Sequence, residues 1–210
     1  MTIDALRNMT PREVRAAVEG FAARYVKDWD DWLAAPRSAR PDLFGRTLRK
    51  WQATRPGAPR RLRAEAKHGA PFLDDLLDAA RQPLSVLGDL TVLTVAQRSH
   101  LQDEALIALW DLFSGLPTDR RASCVGITKA VLLLTDGRVG PAFDSRVRKK
   151  LGVRGPAKFV SCSDWLQILE GVGKDIAAFE STHGQLAEVV PSRFAHLECG
   201  RLYDMALGPR

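Results

Sequence analysis

Val125-Gly126-Ile127-Thr128-Lys129-Ala130-Val131-Leu132-Leu133-Leu134-Thr135 runs into Asp136-Gly137-Arg138-Val139-Gly140-Pro141 and then into Ala142-Phe143-Asp144-Ser145-Arg146-Val147-Arg148-Lys149-Lys150-Leu151. The first run predicts an apolar helix over Ile127 to Thr135. The glycines and proline of the second make a turn. The third predicts a short basic helix from Ser145 to Leu151, with Asp144 placed to cap it. Neither helix offers the alternation of a half-buried strand, so an all-α fold is the expectation.

The flanking sequence agrees. Thr10-Pro11-Arg12-Glu13 combines an N-cap, a proline at the first helical position and a capping-box glutamate, and Val14, Ala17, Val18, Phe21, Tyr25 and Val26 follow at helical spacing. One long helix to about Leu33 is predicted. Pro36 and Pro41 break it, and Asp42 is read as the cap of a short basic helix carrying Phe44, Leu48 and Trp51. Arg55-Pro56-Gly57-Ala58-Pro59-Arg60-Arg61 reads as a cationic loop. Pro71 opens a helix with Phe72, Leu73, Leu76 and Leu77. Residues 84 to 97 suit a buried helix or a strand and are read as helix. Asp103 to Phe113, Ser163 to Phe179 and Ser192 to Leu207 bring the total to about nine helices. Trp29, Trp32, Trp110 and Trp165 are assigned to packing.

With 210 residues the chain can bury one core, or two small helical lobes sharing a cleft, and a single bilobal helical bundle is expected over 1–210. No window reaches the roughly 18 apolar residues of a membrane span, and the start lacks the pattern of a secretory signal, so a cytoplasmic protein is expected. Cys124, Cys162 and Cys199 never form a C-x-x-C spacing, and the four histidines are scattered. Reduced thiols and no metal are expected.

Net charge is +6, and its distribution is uneven. Between Arg37 and Lys67 ten basic residues, among them Arg49, Lys50, Arg60 and Arg61, face two acids. Arg146, Arg148, Lys149, Lys150, Arg154 and Lys158 form a second cluster just after Asp144. Two such clusters around one candidate site favour the phosphates of double-stranded DNA as partner.

The candidate chemistry is an amine and a carboxylate. A helix from Ala130 to Asp136 climbs only about 10 Å, and seven extended residues can return by up to roughly 23 Å, so Lys129 and Asp144 can meet. Asp144, held ionised by helix amides, could face the positive charge that develops at a sugar's anomeric carbon. Lys129, if buried enough to lose its proton, could attack that carbon and leave a Schiff base. Each residue also has an ordinary alternative: Asp144 as a simple N-cap, Lys129 as a solvated charge or phosphate contact.

Val125 to Ala130 and Pro141-Ala142-Phe143-Asp144-Ser145-Arg146-Val147 resemble the helix-hairpin-helix DNA glycosylase superfamily, especially its 8-oxoguanine branch, over about residues 102–155. The resemblance implies Lys129 as Schiff-base lysine, Asp144 as essential carboxylate, and a hairpin in which Gly126 and Thr128 approach DNA. The chain departs from the pattern in lacking the Leu-Pro-Gly opening and the second hairpin glycine, and in a shorter interval between lysine and aspartate. The four-cysteine iron–sulfur motif is absent too, so no cofactor is expected.

A monomeric DNA N-glycosylase that flips its target base is therefore the expected activity, with strand cleavage through Lys129 as an extension. Arg49, Lys50, Arg60, Arg61, Arg146, Arg148, Lys149 and Lys150 are the expected phosphate contacts, and Trp51 and Phe143 the candidates for stacking or wedging. A damaged base in repair and a hypermodified phage base, such as glucosylated hydroxymethylcytosine, in antiviral defence both fit that chemistry. The alternative is a non-enzymatic basic helical DNA-binding protein.

Overall fold

The computed structural model describes residues 2–53, 73–116, 122–153 and 155–209, and every regular element among them is a helix. The ten α-helices are α1 (Pro11–Glu19), α2 (Ala23–Ala34), α3 (Arg40–Lys50), α4 (Leu73–Leu87), α5 (His100–Ser114), α6 (Cys124–Leu134), α7 (Ser145–Lys150), α8 (Cys162–His183), α9 (Leu186–Val189) and α10 (Cys199–Leu207), joined in places by short 3₁₀ turns. None of the described helices is long and apolar enough to cross a membrane.

Local chemistry accounts for the helix starts. Capping boxes open α1 at Thr10 and Glu13, α5 at Ser99 and Gln102, and α8 at Ser161 and Asp164. Asp144 caps α7, its side chain accepting from the amides of Arg146 and Val147.

Several element boundaries differ from the expectation: α5 begins at His100 rather than Asp103, and α6 at Cys124 rather than Ile127. The predicted single helix from Pro11 to Leu33 is two, because the chain turns at Gly20, buries Phe21 and lets the Ala22 amide donate to the Pro209 carbonyl at 3.1 Å. Asp42 lies inside the first turn of α3, and Ala39 occupies the N-cap. The apolar run after residue 84 is helical only to Leu87. At Gly88 φ is +51°, and Leu90, Val92 and Val95 are then buried in irregular chain. That run is apolar because α8 covers it: a Cβ on Gly173 would lie 2.3 Å from the Val92 carbonyl oxygen. Finally, the predicted helix from Ser192 to Leu207 is a 3₁₀ turn at Ser192–Phe194 followed by α10, with α9 before them. The expected loop over 55–61 and the start of the next helix at Pro71 and Phe72 fall outside the described residues.

Helices α6 and α10 lie at the centre. Nine of the eleven residues of α6 are buried, as are all but the first of α10. They are brought together by the turn 135–141, where glycine is needed for contact. A Cβ on Gly137 would meet the Arg201 Cβ at 2.7 Å, and one on Gly200 would lie 2.5 Å from the Gly137 carbonyl oxygen. A second anchor is Asp175 of α8, almost wholly buried, which accepts from the Leu6 amide at 2.8 Å, the Arg7 amide at 3.1 Å and the Tyr203 hydroxyl at 2.7 Å. It ties the N-terminal segment and α10 to one carboxylate. Trp29, Trp32, Trp110 and Trp165 all pack in the core.

A candidate active-site cavity

Where the end of α3, the N-terminus of α7 and the face of α10 converge, they enclose a cavity of about 330 Å³. Tyr25 and Trp51 supply apolar walls, Lys129, Arg201 and the carboxylates Asp144 and Asp204 line the interior, and Arg146 and Arg148 border it. The sequence-predicted pair, Lys129 and Asp144, thus shares one cavity.

Asp144 is only half-buried, and the two amides it caps both bond Oδ1, at 2.8 and 2.9 Å. Among the described residues nothing bonds Oδ2. The carboxylate is fixed on one oxygen and open on the other, which suits an anion presented to a cavity.

Lys129 is 9% exposed, and its Nζ donates to the Trp51 carbonyl at 2.5 Å. Burial pushes its amine below the ordinary lysine value, while Asp144 and Asp204 oppose that push. Lysine here both clasps the end of α3 and keeps an amine near two carboxylates.

Asp204 and Arg201, one turn apart on α10, escaped the sequence reading. Asp204 accepts from the Ala142 amide at 3.2 Å and from Arg201 Nη1 at 2.6 Å. Burial raises its carboxyl to about 6; Arg201 opposes the shift and Asp144 adds to it. The Arg201 guanidinium lies over Trp29 at 4.5 Å, Phe21 at 4.9 Å and Trp51 at 5.6 Å. Desolvation lowers its pKa, with Asp204 opposing. The available signal was a charged i,i+3 pair inside an otherwise apolar helix, since such a pair is buried only when something requires it.

The remaining predicted residues divide. Trp51 is a wall: it stacks on Trp29 at 6.1 Å, takes the edge of Tyr25 at 6.0 Å and donates Nε1 to Asp28 at 3.1 Å. Phe143 is fully buried, with its amide donating to the Thr128 hydroxyl, and does not line the cavity. Thr128 is buried and its hydroxyl also donates to the Cys124 carbonyl. Gly126 lies in the first turn of α6 rather than in a hairpin before it, and a Cβ there would sit 2.9 Å from the Ala53 carbonyl oxygen. Gly126 and Thr128 are therefore internal packing positions, not surface positions.

Among the cations, Arg49, Lys50, Arg146, Lys149 and Lys150 are exposed, though Lys50 and Lys150 also have partners. Arg148 donates to the Gly155 carbonyl, Lys150 to that of Ala206, and Lys50 pairs with buried Asp28 at 2.5 Å. Arg60, Arg61 and Arg154 lie outside the described residues, as does the side chain of Lys158. The three cysteines are free, and burial raises each thiol to about 11. Among the described residues no group of three or more His, Cys, Asp or Glu side chains could hold a metal ion.

No family model, no curated protein and no solved structure matches this chain.

Proposed function

We propose that this protein is a DNA N-glycosylase acting in the cavity between α3, α7 and α10, on an extruded nucleotide carrying a damaged or hypermodified base. One observation carries the reading: an amine lowered by burial and a carboxylate with one open oxygen line the same aromatic-walled cavity, bordered by arginine. A sugar and base need a hollow of this size class, a face to stack on, and an anion near the anomeric carbon.

The chemistry balances by two routes. In the first, the C1′–N bond breaks and its electron pair leaves with the base. Asp144 offsets the developing positive charge and takes a proton from water, whose oxygen bonds C1′. The product is an abasic strand. In the second, Lys129 Nζ bonds C1′ as the base leaves, the sugar ring opens to an imine, and β-elimination cleaves the strand. Borohydride reduces only the imine, so a covalent protein–DNA adduct identifies the lysine route. Abasic product without adduct identifies the water route.

The test is release of base from duplexes carrying oxidised, deaminated, alkylated or glucosylated bases, with Asp144→Asn beside the unaltered protein. Plaque formation by phages with modified genomes separates defence from repair. The second reading, a DNA-binding protein without catalysis, draws on the double amide capping of Asp144, which is a sufficient structural role. Full biological function in Asp144→Asn selects that reading.

A further inference from the structure

Two described residues other than glycine have positive φ: Gln52 at +56° and Asp136 at +49°. Both occupy the same place in the same motif, the left-handed residue after a helix. After α3 the Ala53 amide donates to the Leu48 carbonyl and the Gln52 amide to that of Arg49; after α6 the Gly137 amide donates to Leu132 and the Asp136 amide to Leu133. Glycine is the favoured residue at such a site because a side chain there is strained. Asp136 has a packing reason to be an exception. Its carboxylate accepts from Trp32 Nε1 at 2.8 Å and pairs with Arg40 at 3.3 Å.

Gln52 has no such reason. Its side chain is exposed, lines the cavity, and has no hydrogen-bond partner among the described residues. Lys129, clasping the Trp51 carbonyl, fixes the corner that presents it. A strained residue whose side chain bonds nothing among the described residues, while lining a candidate site, points to work done on a ligand. A carboxamide offers one donor side and one acceptor side, the pattern complementary to a nucleobase edge with adjacent acceptor and donor.

We propose that Gln52 is a nucleotide-binding and specificity-determining residue, whose carboxamide hydrogen-bonds the edge of the extruded base and so holds it in the cavity. This rests on the glycosylase reading.

The experiment places all variants in an Asp144→Asn background, so that the glycosidic bond stays intact. The probes are duplexes with one central base, in turn mismatched adenine, cytosine, guanine, thymine, uracil and 8-oxoguanine, an alkylated adenine and glucosylated hydroxymethylcytosine, each beside a 2-aminopurine whose emission rises when its neighbour leaves the stack. Anisotropy of the same duplexes reports total binding, which phosphate contacts dominate. The expected result is an emission rise for at least one base, weakened about tenfold to a hundredfold in Gln52→Met, with anisotropy unchanged. Methionine keeps the length and lacks the amide. Gln52→Gly should lose the rise equally while its thermal transition holds or moves upward, because the strain is gone. An undiminished rise in Gln52→Met overturns the proposal, as does a parallel fall in anisotropy, which would place the contact on the backbone. No rise for any base with the Gln52 protein overturns the glycosylase reading and this inference together, a result distinct from the other two.

Discussion

Asp144 caps α7, the proposed activity gives it a second, catalytic job, and a single substitution separates the two. Asparagine caps helices as well as aspartate does, so Asp144→Asn should leave α7 and the thermal transition intact while removing the charge. Turnover on a cleaved duplex should fall by about a hundredfold or more, with duplex affinity unchanged in an anisotropy titration; equal turnover would sink the catalytic role. Lys129 is read by pH. Its amine lies below the ordinary 10.5 because of burial, so if it attacks, borohydride adduct should climb to its plateau with a midpoint under that value. In the interval between the lowered value and 10.5 the unfolded chain binds more protons than the folded one, so this residue's contribution to stability increases as pH rises. Asp204 has the opposite sign. Its carboxyl rises from 3.8 to about 6, so the folded protein holds a proton the unfolded chain has released. The stability this residue contributes is present below pH 3.8 and is lost as pH rises through about 6. Urea unfolding at both ends of that window should show the loss in the unaltered protein and not in Asp204→Asn.

At the scale of elements, the site depends on how closely α6, the turn after it and α10 approach. Gly137 has φ +88° and its missing Cβ would strike the Arg201 Cβ. Gly137→Ala should cost about 2 kcal/mol or more in denaturant unfolding and disturb the Arg201–Asp204 pair. Asp175→Ala removes the acceptor for two amides and a buried phenol, and should cost roughly 3–5 kcal/mol. A loss under about 1 kcal/mol would mean that the N-terminal segment needs no such anchor. These couplings also explain what the sequence could say. The capping box at Thr10 and the turn at Gly137 were legible because their causes are local, within a few residues; the box at Ser99 is equally local but escaped the sequence reading, which starts that helix at Asp103. The sharing of a cavity by Lys129 and Asp144 was legible too, because a short helix and a short return constrain them. The break at Gly20, the irregular chain after Gly88 and the burial of Gly126 and Thr128 were not, because each is decided by a segment distant in sequence: Pro209, α8, Ala53 and Phe143 respectively. Arg201 and Asp204 belong to the same class. Their pairing was visible as spacing, but the aromatic cage around the guanidinium is assembled from Phe21 before α2, Trp29 within it and Trp51 just after α3.

For the whole molecule, charge is the property that sequence reads best and structure then sorts. A chain of net charge +6 with two basic clusters invites the inference that each cation contacts phosphate. Their partners show unequal availability. Lys50 offsets a buried carboxylate, so Lys50→Ala should act first on stability, by leaving Asp28 unpaired beside Trp51. Arg148 is committed to the Gly155 carbonyl and has its Nε buried, so its substitution should likewise act in part through the loop after α7. Arg146, which borders the cavity, and Lys149, one turn further along the same short helix, are exposed, and on the proposed reading they follow a phosphate backbone bent around an extruded nucleotide. Binding of duplex measured across salt concentrations should therefore lose about one unit of log–log slope in each of Arg146→Ala and Lys149→Ala, with folding unchanged. Lys50→Ala should lower the unfolding midpoint and move the slope less. Equal slopes for all four proteins would mean that DNA approaches from another face, and the cavity would then have to receive its substrate without help from α7.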